Sequence, residues 1–168
     1  LEEICDSLGI TRSNLFENSA QKLIVGNSSK QNLNYNNAGQ VGFYSNKHKR
    51  FVTETLRYSY QKSDRSTAYY VIRTEPKDFR CMNPEGKLSL DGVERVPYRL
   101  QELLQGIKDS EPILLLEGEK DADRVAEMGF VATTLVGGAG KWRDEYLQYF
   151  MGGGVVLIPD NDQPGIKG

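Results

Sequence analysis

The spacing of apolar and polar residues divides the chain into three stretches. In residues 1–16, LEEICDSLGITRSNLF, the residues Leu1, Ile4, Cys5 and Leu8 fall on one helical face, with Gly9 as a stop and Thr11 as the cap of a second turn. The next stretch, KLIVGNSSKQNLNYNNAGQ, is rich in Asn, Ser and Gln. It offers too little apolar surface for a core and reads as a linker or loop. Between residues 41 and 96 the segments FVTETLRYSY, TAYYVIRTE and KDFRCM alternate β-branched or aromatic residues with polar ones, and QKSDRS and NPEGK separate them. That pattern predicts an antiparallel meander. PYRLQELLQGI then reads as a helix, with Pro97 near its first turn and Gly106 near its end.

From residue 112 the period changes. PILLL, FVATTLV and VVLIP are continuous apolar runs of strand length. Between them lie EKDADRVAEMG, an amphipathic helix with Ala122, Val125, Ala126 and Gly129 on one face, and GGAGK, a glycine loop leading into a second helix, RDEYLQYFM. A β-α-β-α-β order with strands buried on both sides predicts a parallel sheet with helical crossovers. The expected organisation is a helical segment and polar linker at 1–40, a β-rich subdomain at 41–111, and an α/β domain at 112–168.

Charge follows the same division. Residues 41–80 carry nine basic and four acidic side chains, a balance of +5; residues 81–168 carry nine basic and fifteen acidic ones, a balance of −6. A basic segment next to an acidic one suits nucleic-acid contact beside a metal site, although two solvated faces would give the same count. No apolar run is long enough to cross a bilayer and nothing at the start reads as a signal peptide, so a cytosolic setting is the default. Cys5 and Cys81 are isolated and His48 is the only histidine. Zinc ligation within the chain and a disulfide framework are therefore not expected.

The chemistry gathers at the strand ends. Parallel strands joined by right-handed crossovers place their carboxyl ends along one edge, where ligands bind in open α/β sheets. ILLL ends in Glu117-Gly118 and VVLIP ends in Asp160-Asn161-Asp162, so neighbouring strands would collect three carboxylates there. Asp121, one helical turn after Glu117, can join them. Such a cluster must be partly protonated or hold a cation, and oxygen ligands without histidine or cysteine select Mg²⁺, Mn²⁺ or Ca²⁺. DNDQPG meets only the opening of a calcium loop, because Pro164 occupies the fifth position. A phosphoryl-accepting aspartate would leave Glu117 unused, and turn capping would account for one aspartate but not the constellation. VGGAGKW fails the P-loop spacing: Leu135 stands where its first glycine belongs and Trp142 replaces the hydroxyl residue. The loop can still act either as a tight turn or as a phosphate cradle, through backbone N–H groups near Gly138 and the point charge of Lys141.

LLLEGEKDADRVAEMGFVATTLVGGAGKW followed by VVLIPDNDQPG resembles the topoisomerase–primase (TOPRIM) domain, in the form found in phage- and plasmid-type DNA primases and primase-helicases. The resemblance covers residues 112–168. It implies a Rossmann-like TOPRIM domain in which Asp121, Asp160 and Asp162 bind Mg²⁺ (or Mn²⁺) and Glu117 is metal-linked or acts in acid–base chemistry. RTEPKDFRCMNPEGKLSLDGVERVPYRLQEL is similar to the segment that precedes this domain in mobile-element primases. The opening residues resemble the stretch that follows their zinc-binding module. What this implies is a fragment of a DNA primase catalytic core, a nucleotidyltransferase making RNA primers on a single-stranded DNA template from ribonucleoside triphosphates. Glu117, Asp160 and Asp162 would be catalytic, and Arg73, Lys77 and Arg80 would contact phosphates. A zinc-binding module would lie upstream, a replicative helicase would be fused or separate, and the gene would be bacterial or phage- or plasmid-borne. The domain normally continues past D-x-D-x-x-G with a further helix and strand, so the chain is expected to be an excerpt. Tyr58, Tyr60, Tyr69 and Tyr70 could stack bases, but alternation favours packing for at least half of them. A metal-dependent nuclease on the same fold, or a non-catalytic nucleic-acid-binding module, fits the same residues.

Overall fold

The computed structural model describes residues 34–35 and 41–160. The expected helical segment at 1–16, most of the polar linker, and Asp162 lie outside the described residues. The described residues divide into two compact units, one within Gln21–Glu94 and one within Arg95–Gly168.

The first unit is a five-stranded antiparallel sheet of sequential order: β1 Asn34–Tyr35, β2 Val41–Ser45, β3 Arg50–Gln61, β4 Thr67–Glu75 and β5 Phe79–Met82. This is the expected meander, extended by β1, whose two residues fall inside the stretch that reads as a linker. Asn34 and Tyr35 pair with Gly42 and Val41. The β3–β4 pair is the backbone of the unit, with Leu56 opposite Arg73, Tyr58 opposite Val71 and Tyr60 opposite Tyr69. Tyr60 and Tyr69 stack with centroids 4.5 Å apart, and both are fully buried. Tyr58 is buried as well, while Tyr70 packs against the cluster of Phe43, Val52, Ile72 and Met82. The tyrosines are thus cross-strand packing residues, as alternation favours; those buried three cannot meet a base.

The second unit contains α1 Leu100–Lys108, β6 Ile113–Leu116, α2 Glu119–Glu127, β7 Val131–Thr133, α3 Leu147–Phe150 and β8 Val155–Ile158. Its three strands are parallel in the order β7-β6-β8. The central strand β6 is buried along its whole length. Its even face, Leu114 and Leu116, joins Ala132 of β7 and Ala122 and Val125 of α2 in one core, with Val156 and Ile158 packed against it. The odd face is covered by α1 over β7 and β6. Val155 and Leu157 of β8 share that odd face by register with Ile113 and Leu115, yet both remain exposed. β8 is therefore not buried on both sides among the described residues, because α1 packs mainly over β7 and β6.

Two helical expectations change in detail. RDEYLQYFM forms a 3₁₀ turn at Asp144–Tyr146 and a single α-turn, α3, instead of one helix. Gly152, Gly153 and Gly154 follow after Met151 and end the segment, while Tyr146, Tyr149 and Phe150 hold it by burial. Gly106 does not stop α1, which runs on to Lys108. It is instead the point of closest approach between α1 and β7: a Cβ there would lie 2.6 Å from Val131 Cγ2 and 2.9 Å from Cγ1. Alanine gains up to about 1 kcal/mol of helix propensity over glycine, but overpacking against a stiff β-branched side chain costs about 1–3 kcal/mol. We expect Gly106→Ala to destabilise the chain in urea unfolding and to become neutral or stabilising in a Val131→Ala background. A destabilised double variant would remove the packing explanation.

Candidate functional site

The parallel register of β6 and β8 fixes which side chains leave the sheet together. Leu116 pairs with Ile158, so Glu117 and the Pro159-Asp160 step emerge at the same carboxyl edge from strands about 4.8 Å apart. Glu117 is half-buried and Asp160 is exposed. Gly118, extended at φ −148°, hands the chain from β6 to α2, and Glu119 and Asp121 lie in the first turn of that helix, where negative charge is favoured. Asp121 folds back toward the strand end: its Oδ2 lies 3.7 Å from where a Cβ on Gly118 would be.

The glycine loop closes on Glu117 from the β7 side. Gly138 sits at φ 98° and ψ 166°, a region open essentially to glycine alone. A Cβ on Gly138 would lie 2.8 Å from Glu117 Oε2 and 3.1 Å from the Glu117 carbonyl oxygen. The loop backbone is therefore packed directly against the Glu117 carboxylate. The Gly138 N–H is spent on Leu135 O at 2.9 Å, and Lys141 N–H on Gly138 O at 3.0 Å. Only a three-residue 3₁₀ turn, Ala139–Lys141, follows. Those bonds favour the tight-turn reading of GGAGK over the phosphate cradle. Lys141 remains exposed, its stem passing over Gly137.

A brace behind this edge was not legible in the sequence. Tyr98 N–H donates to Thr134 O at 2.9 Å and Thr133 Oγ1 donates to Tyr98 O at 2.6 Å, tying the V-P-Y-R-L segment to the end of β7. The Tyr98 hydroxyl and Arg99 Nη1 both donate to Asp123 of α2, at 3.2 and 3.1 Å. Arg99 Nη2 reaches Glu102 at 2.9 Å from a left-handed backbone, φ 55°. Burial pushes the Asp123 carboxyl above the usual range, against the pull of those two donors. The brace thereby ties α2, which carries Asp121, to the end of β7, which leads into the glycine loop.

In the antiparallel unit the three expected phosphate contacts separate. Arg73 pairs with Phe79, and Ile72 with Arg80, so Arg73 and Arg80 project from opposite faces. Arg80 lies over the Phe43 ring at 5.6 Å and approaches Asp78 at 3.5 Å. Arg73 and Lys77 converge instead on Phe79, each 5.9 Å from its ring centroid. Arg57 is paired with Glu54 and Lys62 with Glu94, whereas Arg73 and Lys77 make no ion pair among the described residues.

Among the described residues no three His, Cys, Asp or Glu side chains are grouped closely enough to hold a metal ion, and no helix is long and apolar enough to cross a membrane. Asp162, the fourth carboxylate of the expected set, lies outside those residues. No protein-family model matches the chain, and no curated protein matches it. Among solved structures, the chain is similar to the primase fragment of the bacteriophage T7 primase-helicase protein, at 16% sequence identity and a TM-score of 0.45. That alignment covers 87% of this chain and 66% of the other.

Proposed function

We propose that the chain is part of a DNA primase catalytic core that joins ribonucleotides on a single-stranded DNA template by metal-dependent nucleotidyl transfer. The observation that carries this reading is the in-register pairing of β6 with β8, which brings Glu117 and Asp160 out at one edge within a pattern that resembles TOPRIM. Glu117, Asp121, Asp160 and Asp162 would hold Mg²⁺ or Mn²⁺, and an oxygen-only donor set suits either. Bound there, the cation would favour ionisation of the attacking hydroxyl and neutralise charge on the nucleotide phosphates. The residues of the chain supply the rest. Gly138 keeps the Glu117 carboxylate pressed between strand end and loop. The Tyr98–Arg99–Asp123 brace holds α2, and with it Asp121, at a fixed rotation. Lys141, Arg73 and Lys77 offer point charges for phosphate oxygens. A zinc-binding module and a helicase, fused or separate, would complete the working protein.

The test is a Mg²⁺ or Mn²⁺ titration of the chain beside an Asp160→Asn, Asp162→Asn variant. Thermal stability is read first, then ribonucleotide incorporation on single-stranded DNA. Stabilisation in the parent alone, with incorporation, is the expected result. A nuclease would shorten the oligonucleotide in the same assay. A non-catalytic module would bind DNA with no metal response from either protein, and that outcome removes catalysis by these carboxylates.

A further inference from the structure

The turn between β4 and β5 is more rigidly built than a hairpin tip needs to be. Thr74 N–H donates to Asp78 O at 3.1 Å and Thr74 Oγ1 donates to Pro76 O at 2.9 Å. The Asp78 carboxylate is buried, accepting from Ser45 Oγ at 2.6 Å and from the Phe79 N–H at 2.9 Å. The Lys77 carbonyl faces His48 Nε2 at 3.2 Å and accepts from Lys47 Nζ at 3.4 Å. Side chains of β2, β4 and the β2–β3 turn thus fix the backbone from Pro76 to Phe79. What this fixed turn presents is an aromatic ring in solvent: Phe79 is 42% exposed. Burying that ring elsewhere in the sheet would have been the cheaper arrangement for stability.

Two cations flank the ring. The Arg73 guanidinium and the Lys77 ammonium each lie 5.9 Å from its centroid, the outer limit of cation–π reach, and the residue still keeps a large exposed surface. Lys47 lies on the Lys77 side and Glu75 is exposed at the end of β4; Asp78 is engaged by Ser45, Phe79 and Arg80. An open aromatic face bordered by positive charge is the arrangement that takes an unpaired base on the ring and its backbone phosphates on the cations. A base inside a duplex is already stacked on both sides and cannot offer that face.

We propose that Phe79, Arg73 and Lys77 form a stacking platform for one unpaired base of a single-stranded nucleic acid. The platform deepens the reading above, which calls for a single-stranded template, but it rests on the antiparallel unit alone and needs no metal. The rigid turn lowers the ordering cost of binding, because the ring and the Lys77 backbone are held before the strand arrives.

Fluorescence anisotropy in EDTA tests this apart from catalysis, using labelled oligodeoxythymidylate, oligouridylate of the same length, and a DNA duplex. Phe79→Ala is expected to weaken single-strand binding roughly tenfold, within the range for loss of one stacked base. Phe79→Tyr is expected to restore it, and duplex binding is expected to stay unchanged in both. The salt slope should persist in Phe79→Ala and fall by roughly one to two in an Arg73→Gln, Lys77→Gln variant. Comparable affinity for the deoxy and ribo strands is expected, since stacking does not read the 2′ hydroxyl. Parent-like single-strand binding by Phe79→Ala, an equal loss on duplex, or no single-strand binding by the parent at low salt would each overturn the platform. A metal response of the carboxylate edge would stand in any of those cases.

Discussion

Gly138→Ala is expected to destabilise the chain by roughly 3 kcal/mol and to abolish any stabilisation by Mg²⁺ or Mn²⁺. The backbone at φ 98° and ψ 166° costs a non-glycine residue about 1–3 kcal/mol by itself. The added methyl then meets Glu117 Oε2 at 2.8 Å and the Glu117 carbonyl at 3.1 Å. A carboxylate can swing aside, but the carbonyl belongs to the residue that follows β6 and cannot move without the strand. Overpacking of this kind adds about 1–3 kcal/mol, and the part that is relieved is relieved by displacing Glu117. Gly118→Ala is the control. Gly118 is also beside the carboxylates, but its φ of −148° is ordinary for any residue and its methyl would make only a 3.7 Å contact with Asp121. We expect it to change stability by less than about 1 kcal/mol and to keep the metal response. Chemical denaturation with and without divalent ion reads both. A metal-responsive Gly138→Ala variant would mean that Glu117 is not held by the loop in the way its contacts indicate.

The same loop shows where sequence reading stops. Most strand positions in residues 41–160 follow from period alone, because β-branched alternation and short apolar runs are local signals. TAYYVIRTE is β4 to the residue, and ILLL and VVLI are β6 and β8. That Glu117 and Asp160 leave at one carboxyl edge was legible too, since parallel topology places strand ends regardless of side-chain detail. What period cannot report is a contact between residues distant in sequence. Gly106 looks like a helix stop until Val131 is beside it, and GGAGK reads equally as a tight turn or an anion loop until the N–H groups of Gly138 and Lys141 are found bonded to Leu135 O and Gly138 O. The exposure of Val155 and Leu157 depends on how far α1 extends across the sheet, not on the apolar run itself. Arg80 reads like Arg73 in a list of basic residues; only the β4–β5 register sends them to opposite faces. The sequence marks Phe79 only as part of a K-x-F-R stretch with Lys77 and Arg80; its exposure follows from the turn that holds it outward.

Asp78→Ala is expected to cost roughly 3 kcal/mol at neutral pH, the largest loss from any single side chain of the antiparallel unit outside its apolar core. The side chain is 9% exposed and takes hydrogen bonds from Ser45 Oγ and the Phe79 N–H. Ser45 is itself fully buried, so removing the carboxylate strands its hydroxyl without water. Bonds to a charged group contribute about 1.5–3 kcal/mol, and an abandoned buried donor about 1–3 kcal/mol. The hydrogen bond from Ser45 also holds the Asp78 carboxyl below the usual range despite burial, helped by the Phe79 N–H, Arg80 and Lys47. The unfolded chain, with an ordinary aspartate near about 3.9, then binds more protons than the folded one across the window below that value. Stability from Asp78 is therefore complete above the unfolded pKa and is lost as pH falls through the folded one. Asp123 acts in the opposite sense and on the other side: its raised carboxyl makes the folded state bind more protons above the ordinary value, so its contribution declines as pH rises there. Urea unfolding as a function of pH separates the two. Asp78→Asn should lower stability above about pH 4 with its pH slope there as in the parent and flatten the acid limb below it, and Asp123→Asn should flatten the dependence above that value and leave the acid limb as in the parent. An acid limb unchanged by Asp78→Asn would mean that the buried carboxylate does not govern the turn, and the rigidity ascribed to the Phe79 platform would have to come from the backbone bonds of Thr74 alone.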